Sequence, residues 1–159
     1  MMAGTTKAKN SKQKTRTIAE LTKFVWEHGK EKPLNPPLSI NLGFDGAVPA
    51  KAIRYKSKDT PDDRERTFHV VYHQTDDGQN EPFALSWGWT KVMIAGETKS
   101  IDGMDFRTSL DGTLQNVVHA KGIVGEIEQT QLPIDSEDVL SGFKEIKQFF
   151  LTKPLPSNK

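Results

Sequence analysis

Histidines and carboxylates are the residues of this sequence that could support acid–base chemistry or bind a metal ion. His69 and His73 are four positions apart, a spacing that brings two imidazoles to one metal ion on a helix. The residues around them alternate between apolar and polar, so we expect a strand, on which this spacing separates the side chains by about 13 Å. The two histidines then cannot share a zinc ion. We predict neither a metal site nor a bound cofactor.

A pair of acids is the second candidate for catalysis. Glu126 and Glu128 flank Ile127, and on a strand their side chains would point the same way, roughly 6–7 Å apart. This separation lies in the range of paired glycosidase acids, but the pattern is also typical of a solvated strand face whose other side is buried. Asp102 and Asp105 are expected in a glycine-containing loop, without the ligand spacing of an EF-hand. We predict no catalytic residues from these acids.

Several classes of site are excluded by missing residues or motifs. The chain has no cysteine, which excludes disulfides, thiolate zinc sites and a cysteine nucleophile. The two glycine-rich phosphate motifs do not occur, and no G-x-S-x-G marks a nucleophile elbow. No run approaches the roughly 18 apolar residues of a membrane span, and no apolar secretory signal is visible. We expect a cytoplasmic protein without a membrane partner.

Aromatic residues form the candidate ligand site. Trp87 and Trp89 lie two positions apart in an apolar run that follows Pro82, Tyr72 lies on the preceding strand, and Phe143 lies near the C-terminus. Aromatic rings on one sheet face can hold an apolar ligand or stack on bases. A stripe at strand spacing is more often part of a hydrophobic core than of a ligand site. Both interpretations stay open at the level of sequence.

Charge is distributed unevenly along the chain. Residues 1–16 carry five cations and no acid, so the remaining residues carry a net charge of −4. This segment has no large apolar residue after Met2, which predicts a disordered basic arm. Such an arm could contact nucleic acid with a strong dependence on salt, or it could simply be solvated. The five cations are Lys7, Lys9, Lys12, Lys14 and Arg16.

Helix signals occur at both ends of the remaining chain. Thr17 opens a capping box ahead of an apolar stripe at helical spacing, which predicts a helix over 17–28. A second stripe follows Asp135 and Ser136, either of which can cap a helix that ends before the last prolines. Residues 153–159 are expected to form a flexible tail.

Between these helices the pattern is that of strands. Three prolines in residues 33–37 predict an extended connector. Leu38, Ile40 and Leu42 then alternate with polar residues, which predicts a short strand.

Turn dipeptides divide the rest of the segment into hairpins. Asp77-Gly78 and Asp111-Gly112 are typical of tight turns between antiparallel strands, although residues 110–121 also fit one face of a helix. Strands are expected over 51–57, 67–74, 83–95, 106–110, 114–120 and 123–132.

The elements together predict one α+β domain over 17–152, with an antiparallel meander sheet flanked by an N-terminal and a C-terminal helix on one face. We expect a non-enzymatic binding or interaction module that holds a protein partner or a small apolar ligand on its sheet or in a sheet–helix groove. A homodimer is compatible with this fold. One alternative is a nucleic-acid accessory protein that uses the basic arm. Another is a small hydrolase or isomerase built from His69, His73, His119 and nearby acids.

Overall fold

The structure, a computed structural model, describes residues 15–155 of the chain. Seven strands form one sheet, in which each strand pairs antiparallel with the next strand in the chain. This confirms the predicted α+β class, a meander sheet with an N-terminal and a C-terminal helix. The elements are α1 (Ile18–His28), β1 (Lys30–Glu31), α2 (Pro36–Asn41), β2 (Ala50–Tyr55), a short 3₁₀ helix (Ser57–Asp59), β3 (Glu65–Gln74), β4 (Asn80–Ala95), β5 (Thr98–Thr108), β6 (Leu114–Ile123), β7 (Glu126–Gln131) and α3 (Glu137–Thr152).

Both long helices begin at the predicted caps. The Thr17 hydroxyl accepts a hydrogen bond from the backbone N–H of Glu20, and the Glu20 carboxylate accepts one from the N–H of Thr17. The Ser136 hydroxyl accepts from the N–H of Val139 at the start of α3. These bonds satisfy N–H groups that a helix leaves without an intrahelical partner.

One side of the sheet, which we call the helix face, packs against α1 and α3. The alternation of side chains along each strand sends every second residue to this side. Phe68, Trp87 and Phe106 are completely buried there against Leu21 of α1 and Phe150 of α3. The main hydrophobic core therefore lies between the sheet and its two long helices, as the sequence predicted.

The opposite side of the sheet is covered over part of its area by residues 32–49, which we call the strap. Leu42 and Phe44 of the strap form a second buried cluster with Val71, Ala84 and Val118. We call this side of the sheet the strap face. The strap crosses between β1 and β2, and it includes α2.

The prediction of a short strand at residues 38–42 was wrong, because this segment is α2. Prolines fit the first positions of a helix, where a backbone N–H has no intrahelical acceptor to lose. Leu42 is completely buried whereas Ile40 is 60% exposed. A strand would have placed both side chains on one face.

The loop predicted around Asp102 and Asp105 was also wrong, because both residues lie within β5. The chain turns at 96–97 and pairs back on β4 at once. Glycine suits position 103 of this strand, because a Cβ atom there would lie 3.0 Å from the Trp89 carbonyl oxygen and 3.3 Å from the Thr90 hydroxyl. The hairpin interpretation of residues 110–121 is confirmed, since β5 and β6 pair antiparallel.

Candidate functional site

Two of the four predicted ligand residues lie together inside the helix-face core. Trp87 is completely buried, and its ring centroid is 5.9 Å from that of Phe143. The indole Nε1 of Trp87 donates to the Thr108 hydroxyl at 3.1 Å. In this arrangement the two rings contact other core side chains.

The other two predicted residues lie apart from this pair. Trp89 is half-buried, with the Arg64 guanidinium 4.0 Å from its ring centroid. Tyr72 packs edge-on against Trp26 of α1 with centroids 5.1 Å apart, and its hydroxyl donates to Glu31 at 3.5 Å. Burial, followed by the negative charge of Glu31, raises the pKa of Tyr72. Tyr72 thus braces the side chain of Trp26.

Trp26 forms one wall of an open groove between α1 and the end of the sheet. The groove has a volume of about 320 Å³, which is at the lower end of the range of small-molecule sites. Four of its residues come from α1, and the others come from β4 and from the turn between β5 and β6. They are Ala19, Thr22, Lys23, Trp26, Pro82 and Leu110.

The walls of this groove are mainly hydrocarbon and include a well-supported aromatic ring. Lys51 places its Nζ 4.6 Å from the centroid of the Trp26 ring and donates to the Trp26 carbonyl at 3.0 Å. Leu110 is 39% exposed although it is a large apolar residue. A small apolar molecule would bury this leucine and pack on the indole without displacing a core side chain.

The groove-lining stripe of α1 was missed in the sequence. Positions 19, 22, 23 and 26 follow helical spacing, as do the core positions Leu21 and Val25 on another side of the helix. The available signal was Trp26, a large aromatic residue that lies outside the core stripe of an amphipathic helix.

The strap face contains buried polar groups of a different kind. The carboxylate of Asp105 lies against the backbone of Gly88, where a Cβ atom would overlap with Oδ1. The Ser86 hydroxyl donates to the same oxygen at 3.4 Å. Burial raises the pKa of Asp105 to about 7, and the Ser86 hydrogen bond opposes this shift only in part.

His69 lies on the same face, directly across from Ser86 on the neighbouring strand. Its Nδ1 is buried and makes no hydrogen bond within the described residues. Burial, followed by the positive charge of Lys32, lowers the pKa of His69 to about 4. Burial therefore favours the neutral form of His69 near pH 7, and it shifts Asp105 toward its protonated form.

The structure places the three strand histidines in three different environments. His73 packs on Phe83 with ring centroids 5.3 Å apart, near the end of β3. His119 lies on the helix face, where its Nε2 is 2.6 Å from Oδ1 of Asp102. Glu126 and Glu128 are exposed on β7.

Metal binding finds no support in the described part of the chain. Within residues 15–155, no group of three histidine, aspartate or glutamate side chains could hold a metal ion.

Arg16 of the predicted basic arm is part of the folded body. Its guanidinium donates to the carbonyls of Phe150 at 2.7 Å and Lys153 at 2.8 Å, at the C-terminal end of α3. A cation suits this position because the carbonyl end of a helix carries partial negative charge. The other predicted arm cations, Lys7, Lys9, Lys12 and Lys14, lie outside the described residues, as does most of the predicted tail.

Comparison with known proteins adds no relationship to this geometry. No family model, curated protein or solved structure matches the chain. No helix among residues 15–155 is long and apolar enough to cross a membrane.

Proposed function

We propose that this protein is a non-enzymatic binding module that holds a small, mainly apolar molecule in the groove between α1 and the end of the sheet. The observation that carries the proposal is the groove itself, an open space of about 320 Å³ with Trp26, Pro82 and Leu110 as its apolar walls. Ligand sites are typically concave and lined by apolar and aromatic side chains, with few polar groups.

The contacts that hold the Trp26 ring in place favour a role in ligand binding over that of an aromatic residue that is merely exposed. Tyr72 contacts the ring edge-on and Lys51 lies over the ring, so the indole is fixed before a ligand arrives. A preorganised wall lowers the entropy lost on binding. Lys23 lines the same groove and offers one cationic group to a polar end of the ligand.

Filling the groove tests the proposal directly. The probe is 1-anilinonaphthalene-8-sulfonate, an apolar dye with one anionic group, titrated into the full chain and followed by its fluorescence. Ala19→Trp adds a large side chain within the groove and removes no core contact, because Ala19 is exposed. We expect saturable one-site binding to the unchanged protein, and binding at least tenfold weaker to the Ala19→Trp variant.

Lys144→Trp is the matched control, because it adds the same side chain to an exposed position of α3 outside the groove. This variant should bind the dye as the unchanged protein does. Equal binding by Ala19→Trp and Lys144→Trp would place the dye elsewhere and remove the groove as the site.

A hydrolase or isomerase is the second candidate, supported by the contact between His119 and Asp102. A carboxylate at 2.6 Å from one ring nitrogen fixes the orientation of an imidazole. If His119 acts as a base or nucleophile, the chain should hydrolyse p-nitrophenyl acetate faster than its His119→Gln variant. Equal rates at neutral pH would dismiss this candidate.

A further inference from the structure

The hairpin formed by β4 and β5 extends beyond the strand on one side of it. Glu65, the first residue of β3, pairs with Thr90, and β4 then continues to Ala95. Among residues 15–155, no strand pairs with residues 91–95 on the side of β3, whereas β5 pairs with all of them on the other side. We call residues 91–95 the free edge, and we call the space beside it, beyond the ends of β2 and β3, the notch.

The loop between β2 and β3 folds toward α3, away from the notch. Arg64 lies over the Trp89 ring on the helix face, and its guanidinium is 4.0 Å from the Glu145 carboxylate of α3. The backbone carbonyl of Asp59 accepts a hydrogen bond at 3.2 Å from Lys153, which follows α3. These contacts hold the loop on the helix face and leave the free edge open.

The free edge presents unpaired backbone groups together with apolar side chains. Alternate residues of an antiparallel strand direct their N–H and C=O groups to opposite neighbours. Ala95 and Thr98 close a two-residue turn, and the bond across this turn directs the backbone groups of Ala95 to β5. Met93 therefore also bonds to β5, whereas Val92 and Ile94 direct their backbone groups into the notch. The side chains of these three residues are 39%, 49% and 72% exposed, respectively.

The outer margins of the sheet are less suited to pairing with another chain. β7 carries Glu126 and Glu128, which are both exposed, and charged side chains on an edge strand oppose the addition of a further strand. At the other margin, β1 has only two residues. The free edge of β4 has Lys91 as its single charge, and its β-branched residues suit a paired strand.

A second copy of the chain fits the notch, because the free edge is complementary to itself. A two-fold axis beside Met93 brings Val92 opposite Ile94 of the second copy, and Ile94 opposite Val92 of the second copy. Both residues of each pair have free backbone groups, so the two pairs can exchange four hydrogen bonds. The side chains of these pairs meet on the strap face, and the two Met93 side chains meet on the helix face.

The charges at the ends of the free edge match under the same axis. Ala95 of the second copy lies opposite Lys91, so the turn at Gly96 and Glu97 of the second copy follows next to Lys91 and Arg64. Glu97 is exposed. Each copy thus directs one acid toward two cations of the other copy.

We propose that the free edge and the notch form a dimer interface, in which two copies each seat the β4–β5 hairpin in the notch of the other and join their sheets. The interface buries on the order of 450 Å² per copy, near the lower limit of about 1,000 Å² in total for a specific interface. The dimer is therefore reversible and forms as the concentration rises. A two-fold interface closes on itself, so assembly stops at two copies.

The sequence was compatible with a homodimer but indicated no surface for it. The groove at α1 lies at the opposite end of the sheet, beside Pro82 and the β5–β6 turn. Dimerisation is thus independent of ligand binding in the groove, and either proposal can fail alone.

Sedimentation velocity of the full chain, from low micromolar to near-millimolar concentration, measures the dimer. We expect a monomer that converts to a dimer, with no larger species. Ile94→Lys places a charge against Val92 of the second copy and should weaken dimerisation at least tenfold. Ile123→Lys is the matched control, because Ile123 is also exposed but lies at the turn between β6 and β7. It should dimerise as the unchanged chain does, and circular dichroism should show an unchanged fold for both variants.

A single cysteine tests the register of the two free edges. The chain has no cysteine of its own. The axis brings the two Met93 residues together as a non-hydrogen-bonded pair, with Cα atoms about 4.5 Å apart, which is within the range of a disulfide. With oxidised glutathione as the oxidant, Met93→Cys should form a covalent dimer at least tenfold faster than Val124→Cys. Val124 is 55% exposed but lies outside the notch.

Three outcomes would overturn the proposal. One is an unchanged chain that stays a monomer over the whole concentration range. Another is equal dimerisation by Ile94→Lys and Ile123→Lys. The third is an equal rate of covalent dimer formation by Met93→Cys and Val124→Cys, which would show that the free edges do not meet in this register.

Discussion

The two faces of this sheet are built from alternate residues of the same strands, and they bury different chemistry. On the helix face, Trp87, Phe68 and Phe106 pack against α1 and α3, and the buried indole donates to Thr108. On the strap face, His69 and Asp105 are held in uncharged or partly uncharged forms. The helix face supplies most of the buried apolar surface. The buried titratable groups of the strap face make the free energy of unfolding depend on pH.

The two faces differ in the elements that pack on them, and this difference accounts for the contrast in what they bury. Two amphipathic helices of 11 and 16 residues close the helix face, whereas the strap contributes one six-residue helix and irregular chain. Regular helices exclude water from a continuous aromatic core, because their apolar stripes match its length. Beneath the strap, small residues such as Gly88 leave space that a neighbouring carboxyl fills.

The largest effect should come from truncating the centre of the helix face. Trp87→Ala should lower the free energy of unfolding by about 3–5 kcal/mol, because it removes a completely buried ring and leaves a cavity. Urea denaturation followed by circular dichroism measures this loss. Trp89→Ala, on the same strand and face but half-buried, should lose clearly less. Equal losses would show that the core is not centred on Trp87.

The buried titratable groups of the strap face should make the free energy of unfolding depend on pH. Asp105 has a pKa of about 7 in the folded chain against an ordinary value of 3.8, so its contribution to stability is present below pH 4 and is lost as the pH rises toward 7. His69 has a pKa of about 4 against 6.5, so its contribution is present above pH 6.5 and is lost as the pH falls toward 4. Between about pH 4 and 6.5, the stability contributions of Asp105 and His69 therefore change in opposite directions as the pH rises.

Substituting one of the two residues at a time should reveal how much pH dependence each contributes to the free energy of unfolding. Relative to the unchanged chain, Asp105→Asn should gain stability as the pH rises from 4 to 6.5, on the order of 1 kcal/mol per pH unit. His69→Gln should change by a similar amount in the opposite direction. Urea denaturation at half-unit pH steps measures both. Parallel pH profiles for all three proteins would contradict the buried, uncharged forms.

A smaller effect should follow from loosening the strap. Arg107 donates to the Leu42 carbonyl at 3.0 Å, and its guanidinium lies 4.7 Å from the Phe44 ring centroid. Arg107→Met should therefore cost about 1–2 kcal/mol and should speed amide hydrogen exchange at Leu42 and Phe44 more than in α1. Arg54→Met removes an exposed arginine and should stay within about 0.5 kcal/mol. Unchanged exchange in the strap would mean that Arg107 does not hold it.

Local patterns in the sequence were sufficient to predict the elements that build the helix face. The capping box at Thr17, the cap at Ser136 and the turn at Asp111-Gly112 each specify one boundary through short-range hydrogen bonds or backbone conformation. The strap helix was missed because six residues give too little periodicity, and because Pro36 suggested extended chain.

Features that depend on tertiary contact could not be predicted in this way. The position of Asp105 follows from a register that places it opposite Gly88, and no local pattern specifies that register. The groove likewise exists because α1 lies beside Pro82 and Leu110, which are far from it in the chain. The aromatic pattern that favoured Trp87 as a ligand residue is the same pattern that builds the core.

The proposed ligand site lies at the open margin of the helix face, and nuclear magnetic resonance tests this proposal most directly. ¹⁵N-labelled full-length protein is titrated with 1-anilinonaphthalene-8-sulfonate while backbone and indole N–H signals are recorded. The account predicts saturable shifts at Ala19, Lys23, Leu110 and the Trp26 indole, with little change at the buried Trp87 indole. Shifts centred on Trp87 or on the strap face, or no saturable shift at all, would contradict it.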